Sequence, residues 1–292
     1  MGYDCSINQE VLDGIAAIRS DTTHGAGAIS RKALDVIGSA TRSSDATDTA
    51  AFVAEMQAVG QELMSARPSM APLVVLVSRW LRSFSDKAAR ESNLASLKMF
   101  AYLYAQELIS SARHASLMAA RNAASMIVSG DNIMTCSYSS TICHTFAIAK
   151  RAGTLFEVKA IESLQDNAMA YGTMLAEELD LEGLLVRIIP DGEAESHIVE
   201  AKCVMIGADA VMDNGSIVNG VPSLRLAVLA DRVSVPFYVV AETTKFLCIE
   251  NYYGFQLEKG FDQIPANLIS GIICDTGIIN SRGVGSIANY VF

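Results

Sequence analysis

The sequence lacks clusters of basic residues. Its 292 residues include 22 Lys and Arg against 32 Asp and Glu, which gives a formal net charge of -10 at pH 7. Proteins that bind a nucleic-acid backbone do so through clustered Lys and Arg side chains. We therefore expect no nucleic-acid partner.

Signals for export and membrane insertion are also missing. The N-terminal segment MGYDCSINQEVLDG carries acids and lacks the basic and apolar regions of a secretory signal. The longest uncharged apolar stretches, such as Asn132 to Ala149, are rich in Ser, Thr and Cys and fall short of a membrane span of ~20 residues. We expect neither export nor membrane insertion.

Cysteine is present, but its spacing is typical of neither disulfides nor zinc. The six cysteines form no CxxC pair and are Cys5, Cys136, Cys143, Cys203, Cys248 and Cys274. Scattered thiols in a long chain are typical of a reducing cytoplasm. We predict a cytoplasmic protein with no metal and no cofactor.

The first part of the chain has the pattern of successive helices. Hydrophobic residues make up 51% of the sequence, enough for a large core, and the length allows two domains. From residue 8 to 128, apolar residues recur at three- and four-residue spacing. A helix is predicted over 45–66, from an Asp-rich capping cluster to just before Pro68. Residues 86–128 contain neither Pro nor Gly, which allows one long helix or two with a bend. Residues 1–128 are predicted to form a helical N-terminal domain.

The pattern changes to alternating strands and helices in residues 129–292. Short buried strands are predicted over 132–135, 156–161, 184–189, 203–206, 235–240 and 268–273. Helices are predicted over 140–151, 167–179 and 223–231. This alternation indicates an α/β domain with a doubly wound, Rossmann-like parallel sheet.

Two segments are candidate ligand sites on pattern alone. Asp209 follows a predicted strand, and ligands of parallel sheets bind at the carboxyl ends of the strands; alternatively, its carboxylate orders the Asn214-Gly215 turn. The loop of residues 20–28 contains Gly25 and Gly27, which let backbone N–H groups approach an anion at the start of the next helix. An ordinary capped loop is the other interpretation.

Several sequence blocks point to a known family. These blocks are Ile127 to Gly153, Val158 to Ser163, Gly207 to Asn219, Val235 to Phe246 and Phe261 to Ile273. They resemble the translation initiation factor 2B alpha/beta/delta family, which also contains methylthioribose-1-phosphate and ribose-1,5-bisphosphate isomerases. The resemblance implies a helical domain, a Rossmann-like domain, a phosphosugar or nucleotide pocket between them, and homodimers or larger homo-oligomers built through the C-terminal domain. It does not fix the function.

The resemblance assigns acid–base roles that this sequence keeps only in part. The isomerases are expected to use a Cys and the Asp of Gly-Ala-Asp to move protons between two carbons of the sugar. Asp209 matches that Asp, but Ser137 stands at the Cys position and Cys136 lies one residue earlier. A shift of one residue in a strand turns a side chain to the opposite face. Cys136 is therefore either a displaced catalytic group or a buried apolar thiol.

The resemblance and the local residue pattern together give the candidate ligand-binding positions. They are His24, Gly25, Ala26, Gly27, Glu162, Asn219, Gly220 and Lys245. Three positions that are cationic in the isomerases are here His24, Leu164 and Gly220. A charge-assisted contact to phosphate contributes about 1.5–3 kcal/mol. The loss of three such contacts is therefore expected to weaken phosphosugar binding by orders of magnitude compared with the isomerases. Lys245 is the remaining candidate cation, unless it is a solvated surface residue.

Three hypotheses follow for the function. The first is a subunit-like protein that binds a small phosphorylated metabolite, a sugar phosphate or a nucleotide, without converting it. The second is an aldose-1-phosphate to ketose-1-phosphate isomerase with an altered substrate pocket. The third is a structural subunit that serves assembly only.

Overall fold

The computed structural model describes residues 7–165, 168–247, 257–281 and residue 284. The chain separates into two compact units, Met1–Arg113 and His114–Phe292, called unit 1 and unit 2 below. Among the helices of the described residues, none has both the length and the apolar character needed to cross a bilayer.

Unit 1 is helical, as predicted. Its helices are α1 (Gln9–Ser20), α2 (Ala26–Ser43), α3 (Thr49–Ala66), α4 (Ala71–Ala88) and the first part of α5 (Leu94–Ala124). The carboxylate of Asp48 accepts the Ala51 N–H at 2.8 Å and caps α3, within the predicted capping cluster. Most of the stretch without Pro or Gly is one long helix, α5, which follows the end of α4 after a non-helical segment at residues 89–93.

An aromatic cluster lies in the core of unit 1. The rings of Trp80 and Phe84 stack with centroids 4.8 Å apart, and Phe52 meets Phe84 edge-on at 5.7 Å. All three side chains are fully buried. The Trp80 indole N–H donates to the carbonyl of Ala101 at 3.0 Å, so its one polar atom is satisfied.

Unit 2 contains the predicted parallel sheet. Its strands are β1 (Asn132–Cys136), β2 (Glu157–Ile161), β3 (Val186–Ile189), β4 (Cys203–Ile206), β7 (Phe237–Val240), β10 (Gly271–Cys274) and β11 (Gly277–Ile279). Their order across the sheet is β11-β10-β7-β4-β1-β2-β3, and only the pairing of β11 is antiparallel. The chain runs outward from β1 to β3 and then returns to β4 on the other side of β1. The carboxyl ends of β1 and β4 therefore flank the switch point of a doubly wound sheet.

Helices cover both faces of this sheet. They are α6 (Ser140–Arg151), α7 (Tyr171–Leu181), α8 (Ala194–Ile198) and α9 (Ser223–Arg232). Ile133 belongs to the core under α6 and α7, whereas its neighbours Met134 and Cys136 belong to the core under α8 and α9. This alternation places successive strand residues on opposite faces. The predicted start of α7 at residue 167 lies outside the described residues.

A second, smaller sheet was missed by the sequence prediction. Its strands pair in the order β8-β5-β6-β9 and are β5 (Ala210–Met212), β6 (Ile217–Gly220), β8 (Phe246–Leu247) and β9 (Phe261–Ile264). The region after Asp209, predicted as a loop leading into a helix, is a β-hairpin. Its turn contains Gly215 at φ 79°, and Asn214 Oδ1 accepts both the N–H and the hydroxyl of Ser216. The Asn214 side chain thus orders the turn through its hydrogen bonds to Ser216, two residues further along the chain.

Gly172 provides a test of how closely α7 packs on β2. A Cβ at this position would overlap the carbonyl oxygen of Ile161. We expect Gly172→Ala to lower the free energy of unfolding of unit 2 by about 1–3 kcal/mol. Gly192→Ala is the matched control, because its new Cβ would meet no atom within 4 Å. Urea denaturation followed by far-UV circular dichroism is the measurement, since the single Trp80 reports on unit 1. Equal midpoints for the two variants would contradict this packing.

Candidate functional site

The candidate site lies at the carboxyl edge of the parallel sheet of unit 2. Ser137 follows β1, Glu162 follows β2 and Gly207 follows β4. The loops after β1 and β4 touch, because any side chain at Gly207 would overlap the hydroxyl of Ser139. Backbone segments approach closely here, at the position where doubly wound sheets bind ligands.

Two serines in this region have left-handed backbone conformations. Ser137 has φ 61° and Ser163 has φ 55°. The Ser137 N–H donates to Ser163 Oγ at 2.8 Å, and the Ser163 hydroxyl donates to the carbonyl of Ile161 at 3.1 Å. A left-handed residue other than Gly costs about 1–2 kcal/mol, and such residues concentrate at functional sites. Local hydrogen bonds hold both serines in this conformation.

The carboxylate of Asp191 binds two backbone N–H groups in the segment after β2. This residue follows β3, and its two carboxylate oxygens accept the N–H groups of Ser163 at 3.1 Å and Leu164 at 3.0 Å. The Leu164 side chain is 54% exposed. The segment predicted to bind an anion through Glu162 and its neighbours therefore presents an apolar side chain, with two of its backbone donors already bound to a carboxylate.

Cys136 is a buried thiol on the opposite face of β1 from Ile133. Its Sγ lies 3.3 Å from Ser223 Oγ. Burial raises the pKa of Cys136 to about 12; the hydrogen bond with Ser223 opposes this rise, and the charges of Asp262 and Asp191 add to it. The thiol is therefore protonated at neutral pH. Its environment is that of a packed apolar group.

Polar groups at the end of β6 form a local network. Asn219 is buried, and its Nδ2 donates to Ser223 Oγ at 2.8 Å. The Ser223 hydroxyl donates to the carbonyl of Gly220 at 2.6 Å. Ser223 Oγ lies within hydrogen-bonding distance of both Asn219 Nδ2 and Cys136 Sγ, so the predicted ligand residue Asn219 is close to Cys136.

Gly220 and Ser137 fit against each other. A Cβ on Gly220 would lie 2.5 Å from Ser137 Oγ and 3.4 Å from Ser137 Cβ. Ser137 thus fills the space in which a longer side chain at position 220 would begin. Two positions at which the sequence departs from the isomerase pattern are in direct contact.

Asp209 and Glu162 lie at the same edge of the sheet. The Asp209 N–H donates to the carbonyl of Val218 at 2.7 Å, which fixes the start of the β5–β6 hairpin. The Glu162 N–H donates to Ile189 O at 2.8 Å, and its carbonyl accepts from Gly172 at 2.9 Å. Both side chains are partly exposed. Backbone hydrogen bonds therefore fix the main chain of both residues at this edge.

Lys245 lies in the interior beyond the end of β7. It is 4% exposed, and its Nζ lies 3.5 Å from Oε2 of Glu242, which is 2% exposed. The alternative interpretation, a solvated surface lysine, does not match this burial. The carboxylate of Glu242 therefore balances the charge of Lys245. Thr243, which lies between these two residues in the sequence, donates its N–H and its hydroxyl to Asp275 at 2.6 and 3.0 Å.

The predicted glycine loop lies in unit 1, between α1 and α2. Gly25 precedes α2, Ala26 is buried in its first turn, and Gly27 follows. His24 Nδ1 and Lys32 Nζ lie 3.0 and 2.7 Å from the Asp21 carboxylate. Burial alone would raise the pKa of Asp21, but hydrogen bonds from Lys32, His24 and Thr23 hold it well below its usual range. Asp21 therefore supplies a permanent negative charge beside His24 and Lys32.

Four residues of the site were missed by sequence reasoning. They are Ser163, Asp191, Ser223 and Glu242. Asp191 follows a predicted strand just as Asp209 does, so the same rule about carboxyl ends applied to it. The rule applied equally to Glu242, which comes two residues after the predicted strand over 235–240, whereas Ser163 and Ser223 become recognisable only through their contacts.

A family assignment follows from comparison with known proteins. The model of the initiation factor 2 subunit family matches residues 22–249. The chain belongs to this family. Its fold agrees with a crystal structure of the Pyrococcus horikoshii translation initiation factor eIF-2B, with a TM-score of 0.79, 24% identity, and coverage of 94% of this chain and 98% of that one.

Relatives within the family carry two kinds of name. An eIF-2B subunit 2-like protein of Pyrococcus furiosus is 30% identical over 93% of this chain and 96% of the relative. A ribose 1,5-bisphosphate isomerase of Methanocaldococcus jannaschii is 26% identical over 94% of this chain and 93% of the relative. Membership thus leaves both a subunit and an enzyme as possible functions.

The burial of Cys136 predicts low reactivity. With a pKa of about 12, only about one thiol in ten thousand is ionised at pH 8. We expect iodoacetamide to leave Cys136 unmodified in the folded protein and to modify it rapidly in urea. Mass spectrometry of the peptide that contains Cys136 measures this. Rapid modification of the folded protein would show an accessible thiolate and contradict the structure.

The contact between Ser137 and Gly220 predicts coupled effects of mutation. Gly220→Ala introduces a Cβ against Ser137 Oγ and is expected to lower the free energy of unfolding by about 1–3 kcal/mol. Ser137→Gly removes the opposing side chain at a left-handed position that Gly adopts freely. We expect most of the loss to disappear in the double variant, as measured by a double-mutant cycle in urea. Additive effects would show that the two positions do not interact.

Proposed function

We propose that this member of the initiation factor 2 subunit family binds a small phosphorylated metabolite, a sugar phosphate or a nucleotide, at the carboxyl edge of its parallel sheet without converting it. The observation that carries the proposal is the contact between Ser137 and Gly220. Ser137 stands where the isomerase pattern has its Cys, and its side chain fills the space beside Gly220, where that pattern has a cation.

The protonation state of Cys136 supports binding without turnover. Proton transfer between two sugar carbons needs an acid and a base that reach those carbons and exchange protons near neutral pH. The thiol of Cys136 is buried, is hydrogen-bonded to Ser223, and has a pKa raised to about 12 by burial. Asp209 alone does not supply both groups.

The start of α6 supports an anionic ligand. This helix of 12 residues begins at Ser140, after a short loop that follows β1 at the edge where the site lies, and Ser139 Oγ accepts the N–H of Ile142 at 3.4 Å. Helix N-termini favour phosphate through free N–H groups and the helix dipole. Because Gly220 and Leu164 are uncharged, we expect weaker binding than in a site with cations at both positions.

An isomerase with an altered pocket is the second candidate. The retention of Asp209 at the position of the isomerase Asp favours it. In this case Asp209 is the proton acceptor, and the Ser137 hydroxyl stands in for the thiol. This candidate predicts turnover of a substrate that does not need cations at positions 164 and 220.

A ligand panel with a turnover assay separates these functions. We expect ribose 1,5-bisphosphate, methylthioribose 1-phosphate or AMP to raise the melting temperature, since a ligand at 100 times its Kd stabilises by about 2.7 kcal/mol. We expect no ketose product by NMR. Conversion that disappears in Asp209→Asn would establish the isomerase instead. No stabilisation by any compound would leave a role in assembly only.

A further inference from the structure

We propose that Asp191 is a positioning residue of the candidate ligand site, which sets the conformation of the Ser137 loop through Ser163. This role rests on the proposed function, because it concerns the loop that the ligand is proposed to contact. The contacts form a continuous series from the end of β3 through the end of β2 to the end of β1.

The first contact joins Asp191 to the segment after β2. Each oxygen of the carboxylate accepts one N–H, from Ser163 at 3.1 Å and from Leu164 at 3.0 Å. Two successive backbone N–H groups that share one carboxylate are fixed in direction as well as in position. This geometry suits the left-handed conformation of Ser163, with φ 55°.

The second contact joins Ser163 to Ser137. The Ser163 side chain is fully buried, and its hydroxyl donates to Ile161 O at 3.1 Å while accepting the Ser137 N–H at 2.8 Å. With both hydrogen bonds made, Oγ has little freedom to rotate. A change in the backbone of Ser163 must therefore move the group that holds Ser137.

The third contact joins Ser137 to Gly220. Ser137 Oγ occupies the space next to Gly220, at the end of β6. Asp191 is only partly buried, but Ser163 and Ser137, the two residues that follow it in this series of contacts, are buried. The carboxylate therefore acts on the site through Ser163 and Ser137.

Hydrogen exchange of the full chain without ligand tests the positioning directly. Asp191→Ala is expected to speed exchange of the Ser137 and Leu164 amides about tenfold, while amides within β1 and β2 stay protected. Asp191→Asn keeps one acceptor oxygen and is expected to restore part of the protection. Glu195→Ala is the matched control, because this exposed carboxylate lies in the adjacent helix α8. Unchanged exchange at Ser137 in Asp191→Ala would overturn the proposal.

Ligand binding provides the second measurement, with ribose 1,5-bisphosphate as the probe in titration calorimetry. We expect Asp191→Ala to weaken binding about tenfold, Asp191→Asn to weaken it less, and Glu195→Ala to leave it unchanged. Faster exchange at Ser137 with unchanged affinity would overturn the role in the ligand site. If the wild-type protein binds no panel compound while Ser137 exchange still depends on Asp191, the proposed function fails and the positioning of Ser137 stands.

A double-mutant cycle keeps the test decisive if Asp191→Ala does not fold. Asp191→Asn and Ser163→Ala act on the same series of contacts, so their effects on the urea midpoint are expected to be less than additive. Fully additive effects would show that Asp191 does not act through Ser163.

Discussion

Parallel pairing of β1 with β2 and β4 is the constraint on which the rest of unit 2 depends. Because the three strands run in register, they end at the same edge, and the chain must leave each of them there. The departing loops bring Ser137, Glu162 and Gly207 together. Loops from distant parts of the sequence are thereby collected at one place, while most residues of the strands below them are buried.

The main sheet was predictable because most of its parallel strands are short, largely buried apolar runs, which differ from the helical spacing before residue 128. The second sheet was not, because β5 and β6 are joined by a turn, so the alternation of strand and helix that marks the main sheet is missing there. Pairing in this second sheet also depends on distant segments: β6 ends at Gly220, and its partner β9 begins at Phe261. Short strands of this kind are specified by tertiary contacts more than by local sequence.

The sequence predicts where candidate site residues lie in the fold more readily than it predicts their burial and their hydrogen-bond partners. The rule that ligands bind beyond the carboxyl ends of parallel strands predicts Asp209 as a candidate and places it just after a buried strand, where the structure has it. That rule does not show that Lys245 is buried against Glu242, or that Cys136 faces the core beside Ser223. These properties depend on burial and on which face of a strand a residue occupies. The left-handed conformation of Ser163 likewise depends on a carboxylate beyond the next strand.

The fit between Ser137 and Gly220 also constrains how this sequence can diverge. A larger residue at position 220 is admitted only after the side chain at position 137 has become smaller or has rotated away. A change at 137 made first removes the overlap, whereas a change at 220 made first requires the Ser137 side chain to rotate, at the stability cost expected for Gly220→Ala. Substitutions at positions 137 and 220 are thus epistatic, because the cost of one depends on the residue at the other.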